Sequence, residues 1–432
     1  MPIFRKTAGV IVSDIANDRL LYVRDLNGDG VATGAGEVKV FFDASNASGL
    51  PAPSGAIFCI YQAADGTVYV GDGDTHAIYA LRDNNLNGTA NDAGEARVFF
   101  SQSLSASGIF LPTPNGIAGD ADALYVTNAG TGSSLPGSQD GVIRMADGNG
   151  DHDAKALAEA TLFLDGNTLI ASGATSSNPF DLCILNNALY FADFRTVALG
   201  GRAIMRAAYT PATISIAAPD LNVFVTNQTS FTGPSGAFTL PLGQSCVTDG
   251  ASIYMHDTSA ANVQAVYRLT DGNASNTINA DSEVVQVWSE LNLPSGEVMS
   301  NSFDIDVGPK RLLITSNGST PTSQGSVPAS ELILAIDADN NGLYSQAETK
   351  IFIKGANGVA LWPANTNSRT ARFYAWPCAA DFNMTGGITV NDIFDFLAAW
   401  FAGDPRADFN GLGGISVQDI FDFLSAWFAG CP

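Results

Sequence analysis

The sequence predicts an all-β fold, a six-bladed β-propeller, followed by a small α-helical domain built from a tandem repeat. Three observations carry this. A strand–loop–strand unit recurs six times, beginning at Arg19, Ala77, Gly141, Arg202, Gln264 and Ser330; RLLYVRDLNGDGVATGAGEVKVFF and AIYALRDNNLNGTANDAGEARVFF are two copies. A further pair of strands also recurs six times, its second strands starting at Val68, Leu124, Leu189, Ile253, Leu312 and Ala371. Four short strands in roughly 60 residues make one propeller blade. The pattern then stops, which divides the chain into residues 1–376 and 377–432.

The unit is clearest from Gly66 to Ser101, where strands at Val68–Val70, Ala77–Leu81 and Ala96–Phe100 flank an acidic, Asn/Gly-rich loop, Asp83–Glu95. Apolar and polar residues alternate between turn signals, as half-buried strands require. The inner strands align as PSGAIFCIY from Pro53, PNGIAGD from Pro114, NPFDLCIL from Asn178, GQSCVTD from Gly243, NSFDIDV from Asn301 and ANGVALW from Ala356. The first outer hairpin lies at the N-terminus and the last inner pair lies near residues 357–376. One blade is therefore expected to draw two strands from each chain end, closing the ring and protecting its sheet edges. Val10–Ser13 duplicates the second-strand role given to Ala371–Trp376.

Composition narrows the function. A formal charge of −23 argues against nucleic acid or an anionic membrane as partner. The longest apolar runs are too short for a membrane span, and MPIFRKTAGV lacks the apolar core of a signal peptide. Cys59, Cys183 and Cys246 fall in inner strands and read as small buried hydrophobes. Cys378 and Cys431 bracket the C-terminal repeat and are expected to clasp its ends as a disulfide, which places the protein outside the reducing cytosol.

The loops between third and fourth strands carry the clearest chemistry. Asp337, Asp339, Asn341, Gly342 and Glu348 match positions 1, 3, 5, 6 and 12 of an EF-hand calcium loop. Alternating oxygens converge on one hard cation, Gly permits the sharp turn, and the late Glu completes the shell. Asp25, Asn27, Asp29 and Glu37 match with Glu one place late, as do Asp83, Asn85, Asn87 and Glu95, and Asp147, Asn149, Asp151 and Glu159. Asp271, Asn273, Ser275 and Glu283 are a weaker copy; the loop after Arg206 has lost the pattern. The bland alternative is that Asp, Asn and Gly simply make good turns.

The phrases VYRLTDGN (Val266–Asn273) and VIRMADGN (Val142–Asn149) resemble the strand–turn texture of lactonase, streptogramin-lyase and NHL-type propellers. In lactonase-like propellers a catalytic calcium sits at the channel mouth, ringed by Asn, Asp and Glu. The matching positions here are Asn115, Asn128, Asn178, Asp181, Asp257 and Asp304, with no matching Glu and no motif-placed His. Nor is there a Ser nucleophile motif, a metal-binding His pair or a phosphate loop.

In the tail, ADFNMTGGITVNDIFDFLAAWFAG from Ala380 repeats as ADFNGLGGISVQDIFDFLSAWFAG from Ala407, offset by 27 residues. Each copy reads as a calcium loop running into a helix. Asp381, Asn383, Thr389 and Asp392 hold positions 1, 3, 9 and 12, and Asp408, Asn410, Ser416 and Asp419 hold them in the second copy. This resembles the duplicated type I dockerin module, with a departure at position 5, where Thr385 and Leu412 replace Asp. The resemblance implies a cohesin-like protein partner bound through Val390/Asn391 and Val417/Gln418. The helices are apolar enough to form either a dense core or a docking face, with Trp400 and Trp427 the expected anchors.

The reading from sequence is a secreted or cell-surface calcium-binding propeller acting as a binding and assembly module. It would meet a small-molecule or glycan ligand at the mouth, and a protein partner or another copy through the tail. The alternatives are a calcium-dependent hydrolase or lyase of lactonase type and a self-assembling extracellular fibre subunit.

Overall fold

The repeated apolar runs pair as six four-stranded antiparallel sheets, and two helices follow them. The computed structural model describes residues 7–129, 140–166, 168, 178–193, 201–210, 213, 215–217, 220–233, 236–240, 243–257, 263–321, 330–355, 358–375, 380–383, 388–404, 407–409 and 414–430. Blade 1 comprises Ile57–Gln62, Val68–Asp72, Ala77–Leu81 and Ala96–Ser101, and blade 2 comprises Pro114–Gly119, Leu124–Asn128, Gly141–Met145 and Ala160–Asp165. Blade 3 comprises Pro179–Leu185, Ala188–Asp193, Ala203–Ala208 and Leu221–Thr226, and blade 4 comprises Val247–Thr248, Ile253–His256, Ala265–Leu269 and Val284–Ser289. Blade 5 comprises Ser300–Gly308, Arg311–Pro321, Glu331–Ile336 and Thr349–Lys354.

Blade 6 closes the ring differently from the expected two-and-two split. Ala371–Ala375 alone comes from the C-terminal side and is the innermost strand; Thr7–Asp14, Arg19–Val23 and Val38–Phe42 complete the sheet. Val10–Ser13 is therefore the second strand, and the described part of ANGVALW, residues 358–362, forms no strand. That segment ends in Trp362, which is fully buried between blades 5 and 6 and donates its indole N–H to Ser330 O at 3.0 Å. One large aromatic seated in a core outweighs the weak strand propensity of the Gly-containing run before it.

The pair of bulky apolar residues that ends each unit, Phe-Phe in the first two and other apolar pairs in the rest, has a structural cause. In every blade the pairing of third and fourth strands slips by one residue, so that Phe99, Phe163, Phe224, Val287, Phe352 and Phe41 are extra residues in a bulge. The bulge lets two successive apolar side chains turn inward, and all six extra residues are buried. It also takes the extra residue's carbonyl out of the ladder. Each of these carbonyls accepts an N–H from the third-to-fourth loop of the next blade, from Ala154, Ile216, Ile278, Tyr344, Ala32 and Ala90 in turn, at 2.7–2.9 Å. The acidic loops thus close a ring of seams between blades.

Ser230–Gly233 and Gly236–Thr239 form an additional two-stranded hairpin after blade 3, where the repeat gave no sign of one. Cys59, Cys183 and Cys246 are buried free thiols, as expected; Cys378 and Cys431 lie outside the described residues. Among the described residues no helix is long and apolar enough to cross a membrane.

The tail contains two 13-residue helices, α1 (Val390–Ala402) and α2 (Val417–Ala429). Asp392 and Asp419 sit at the third helical position and accept the N–H and hydroxyl of Thr389 and Ser416, the residues that open each helix. Phe396 and Phe423, one repeat apart, stack at 4.2 Å with ring planes 4° apart, and Phe382 and Phe409 pack edge-on against them. This is a small aromatic core with pseudo-two-fold symmetry.

Candidate functional sites

The rim loops share one local geometry. In the Asp337 loop, Asp337 accepts the N–H groups of Asn341 and Gly342 at 3.1 and 3.0 Å, and Asn341 Oδ1 accepts that of Leu343 at 2.7 Å. Glu348 folds back from the far end to accept Ala338 N–H at 2.7 Å and Ser345 N–H at 2.9 Å. These bonds hold the Glu348 carboxyl below its ordinary range. The Asp25, Asp83, Asp147 and Asp271 loops repeat the arrangement, each with its late Glu returning to the start of the loop. Position 6 is left-handed in all five, at Gly30, Gly88, His152, Asn276 and Gly342. The weaker fifth copy thus keeps the same turn.

Convergence differs between loops. The carboxylate oxygens of Asp147, Asp151 and Glu159, and those of Asp337, Asp339 and Glu348, lie within 4.8 Å of one another. Oxygens bound to one calcium at roughly 2.3–2.6 Å can be no more than about 5 Å apart, so these two sets fit a single ion. The Asp25 loop (Asp25, Asn27, Asp29, Glu37) and the Asp83 loop (Asp83, Asn85, Asn87, Glu95) share the turn without three carboxylates meeting at that distance. Asp83 is buried, and burial pushes its carboxyl up to about 6.

In the tail, Asn383 N–H reaches back to Asp392 at 3.1 Å, and Asp408 accepts Gly414 N–H at 3.0 Å. Asp381 is buried at the loop start. Asn410, Thr385 and Leu412 fall outside the described residues.

The channel mouth is built by a second recurrent irregularity. In blades 1, 2, 3 and 5 the pairing of first and second strands also slips, at Ile57/Cys59, Pro114/Gly116, Pro179/Leu182 and Ser302/Asp304. The mouth cavity, about 30 Å³, is lined by Phe58, Asn115, Phe180, Asp181, Gln244, Ser245, Phe303, Asp304 and Arg369. Of the six expected mouth residues, the structure brings together Asp181, Asp304 and Asn115. Asn128 accepts Thr113 N–H and donates to Phe110 O, Asn178 N–H bonds Asp193, and Asp257 is buried at the end of blade 4; these three brace the blade ends.

Asp181 and Asp304 are held by a residue that the sequence reading missed. Arg372 pairs with Asp181 at 2.9 Å through Nη2 and with Asp304 through Nη1. Asp304 also accepts Ser245 Oγ at 2.6 Å and Thr370 Oγ1 at 2.7 Å. Burial pulls the guanidinium down, but Asp304 and Asp181 hold it well above its ordinary range. Burial raises the Asp181 carboxyl, against the lowering influence of Arg372. The signal for this site was the Phe-Asp pair in NPFDLCIL and NSFDIDV, which occupies the same register in two blades. His256 ends a strand of blade 4 and is buried; burial lowers its imidazole to about 4.

Glu331 opens the third strand of blade 5 with Oε2 buried and unpartnered, while nearby Lys354 pairs with Glu297 at 2.7 Å. Burial pushes its carboxyl up to about 8. A folded value above the ordinary 4.5 means that Glu331 keeps its full stability below about pH 4.5 and loses it as pH rises through about 8. Glu331→Gln is therefore expected to stabilise the protein by on the order of 3 kcal/mol at pH 7 and by nothing near pH 4. Urea denaturation at the two pH values checks this, and an equal effect at both would contradict it.

The helix pair divides its apolar residues between two faces. Trp400 and Trp427 are turned inward: Trp400 Nε1 donates to Ser416 O at 2.9 Å and Trp427 Nε1 to Thr389 O at 3.0 Å. Each half-buried indole thus braces the loop of the other repeat. The exposed apolar residues are instead Phe394 (64%), Phe401 (78%), Phe421 (58%) and Phe428 (77%), again in pairs one repeat apart. Val390, Asn391, Val417 and Gln418 are exposed beside them.

No protein-family model and no curated protein sequence matches the chain. Among solved structures, it is similar to a hypothetical selenium-binding protein from Sulfolobus tokodaii, with 8% identity and TM-score 0.49, covering 86% of this chain and 94% of that one. A chain of a nidogen/laminin complex has 12% identity and TM-score 0.48, with 84% and 97% covered. A putative 6-phosphogluconolactonase from Bacteroides fragilis has 13% identity and TM-score 0.41, with 79% and 81% covered. The six-bladed architecture of this chain is assigned from its own sheets.

Proposed function

We propose that the chain is an extracellular binding and assembly module: a calcium-stiffened propeller that offers its channel mouth to a small ligand and is attached to a protein partner by its C-terminal helix pair. The observation that carries this reading is the four exposed phenylalanines of α1 and α2. The helix pair has already packed an aromatic quartet and half-buried both tryptophans, so these phenylalanines are not left over from an unfinished core. Their two-fold repetition offers nearly the same face twice, and the resemblance to type I dockerins makes a cohesin-type protein the favoured occupant.

Calcium would be held by Asp147, Asp151 and Glu159 and by Asp337, Asp339 and Glu348, with the sister loops following the same turn. Its chemistry there is electrostatic: a divalent cation offsets the mutual repulsion of converging carboxylates. The catalytic-calcium alternative asks Asp181 and Asp304 for ligands, and both are committed to Arg372.

The test uses the full chain, a type I cohesin module and Phe401→Ser/Phe428→Ser. Truncating a central aromatic anchor costs about 2 kcal/mol or more, so the double variant should bind the cohesin roughly a hundredfold or more weaker, with melting unchanged. Sedimentation of the chain alone reports whether a second copy is the occupant instead. A wild-type chain that neither binds the cohesin nor self-associates overturns the attachment role.

A further inference from the structure

Among the described residues, the channel mouth contains a guanidinium with no ion-pair partner. Arg372 is fully engaged by two aspartates, but Arg369, three residues earlier, has a different environment. Its Cζ lies 4.3 Å from the ring centre of Phe58 and 4.4 Å from that of Phe303. Among the described residues, its side chain makes no ion pair and no hydrogen bond. Phe58 comes from blade 1 and Phe303 from blade 5, the two neighbours of the blade 6 inner strand that follows Arg369.

Two aromatic rings attract a cation through their negative faces and strip water from it. A ring face draws the cation but does not replace the strong N–H···O bonds that an oxygen acceptor would make with the guanidinium edge. The half-buried guanidinium keeps N–H donors open to a ligand entering the cavity, and burial lowers its proton affinity. The natural complement to such an edge is a planar anion that accepts two parallel N–H bonds. Gln244 adds a side-chain amide to the same lining, and Phe180 faces the cavity from blade 3.

Size and charge narrow the class further. A cavity of about 30 Å³ takes one small head group and leaves the rest of a ligand outside. Asp181 and Asp304 also line it, and a dianion such as phosphate would meet their repulsion more strongly than a monoanion would. We propose that the channel mouth binds the carboxylate of a small organic acid, held by Arg369 where it sits against Phe58 and Phe303, with the body of the acid projecting out of the cavity. This rests on the reading of the mouth as the propeller's ligand-binding face.

The probes are benzoate and benzamide, which share a ring and differ in the charge of the head group, titrated against the full chain by calorimetry and saturation-transfer NMR. Benzoate is expected to bind on the order of tenfold more tightly than benzamide, the scale of a charged hydrogen-bonded pair, and to weaken as salt rises. Arg369→Gln should erase that preference. Because it also removes packing between two rings, Arg369→Lys serves as a second variant that keeps the charge and loses the two-pronged edge; it should lose most of the preference while melting like wild type. Equal binding of benzoate and benzamide, or an undiminished preference in Arg369→Gln, overturns the carboxylate assignment and leaves the mouth as a binding face. Binding of neither probe overturns both.

Discussion

Chelating divalent cations is expected to lower the unfolding midpoint of the whole propeller, and by more than a surface effect would. A ligand held at a hundred times its dissociation constant stabilises the native state by about 2.7 kcal/mol per site, so the two loops whose carboxylates converge would together contribute roughly 5 kcal/mol. The effect should spread beyond the hairpins that carry the ions. Each rim loop donates an N–H to the bulge carbonyl of the preceding blade, and basic side chains add contacts at the same seams: Lys39 bonds Asn87 O at 2.8 Å and Lys350 bonds Asp29 O at 2.8 Å. A loop loosened by carboxylate repulsion therefore loosens the joint between two blades. Asp337→Asn with Glu348→Gln should reduce the response to chelator, and calcium should restore the midpoint where magnesium does so less well. Blade 3 carries an internal control: its loop lacks the acidic ladder but still donates Ile216 N–H to Phe163 O. Hydrogen exchange at that amide should change least on chelation. Identical melting with and without chelator would remove calcium from the account.

Arg372→Met is expected to be the most damaging single substitution in the channel. It leaves Asp181 and Asp304 buried without their shared cation, a change that typically costs about 3–5 kcal/mol. The loss should depend on pH in a defined direction. Without Arg372, the Asp181 carboxyl loses the influence that opposes its burial and titrates further above its unfolded value, so its stability is complete at pH below about 4 and is lost as pH rises through the raised folded value. The gap between variant and wild type should be small in acid and wide at pH 8. Adding Asp181→Asn and Asp304→Asn should recover most of it at pH 8, because neutral amides do not require a buried counter-charge. Denaturant titrations of the three proteins at pH 5 and pH 8 check this. A pH-independent deficit would mean that Arg372 acts by packing alone.

Much of the rim was legible in the sequence. The ladder of Asp337, Asp339 and Asn341 and its late Glu348 belong to one short loop, so spacing alone was enough to bring their oxygens close together. The mouth was legible only in part. Asp181 and Asp304 were visible as aspartates in aligned strands, but their partner Arg372 lies in a strand that the repeat had assigned to the wrong role. Trp400 and Trp427 show a related limit. Size and hydrophobicity marked them as anchors, while the hydrogen bonds that turn them inward join residues from opposite repeats.

By itself the sequence determined the number of blades, the place of the acidic loops and the duplication of the tail. These follow from short-range periodicity, in which each residue's role is set by neighbours a few positions away. Only the tertiary structure decided which charges meet at the axis, how the last blade is shared, and which side of α1 and α2 is buried. A radial array brings equivalent positions of different blades together across the channel, so Arg372 pairs with residues 191 and 68 positions away, a relation that no local spacing encodes. The helices are apolar almost all round, and periodicity cannot choose a face when both look alike. The choice was made by Phe396 stacking on Phe423, which leaves Phe401 and Phe428 to the solvent.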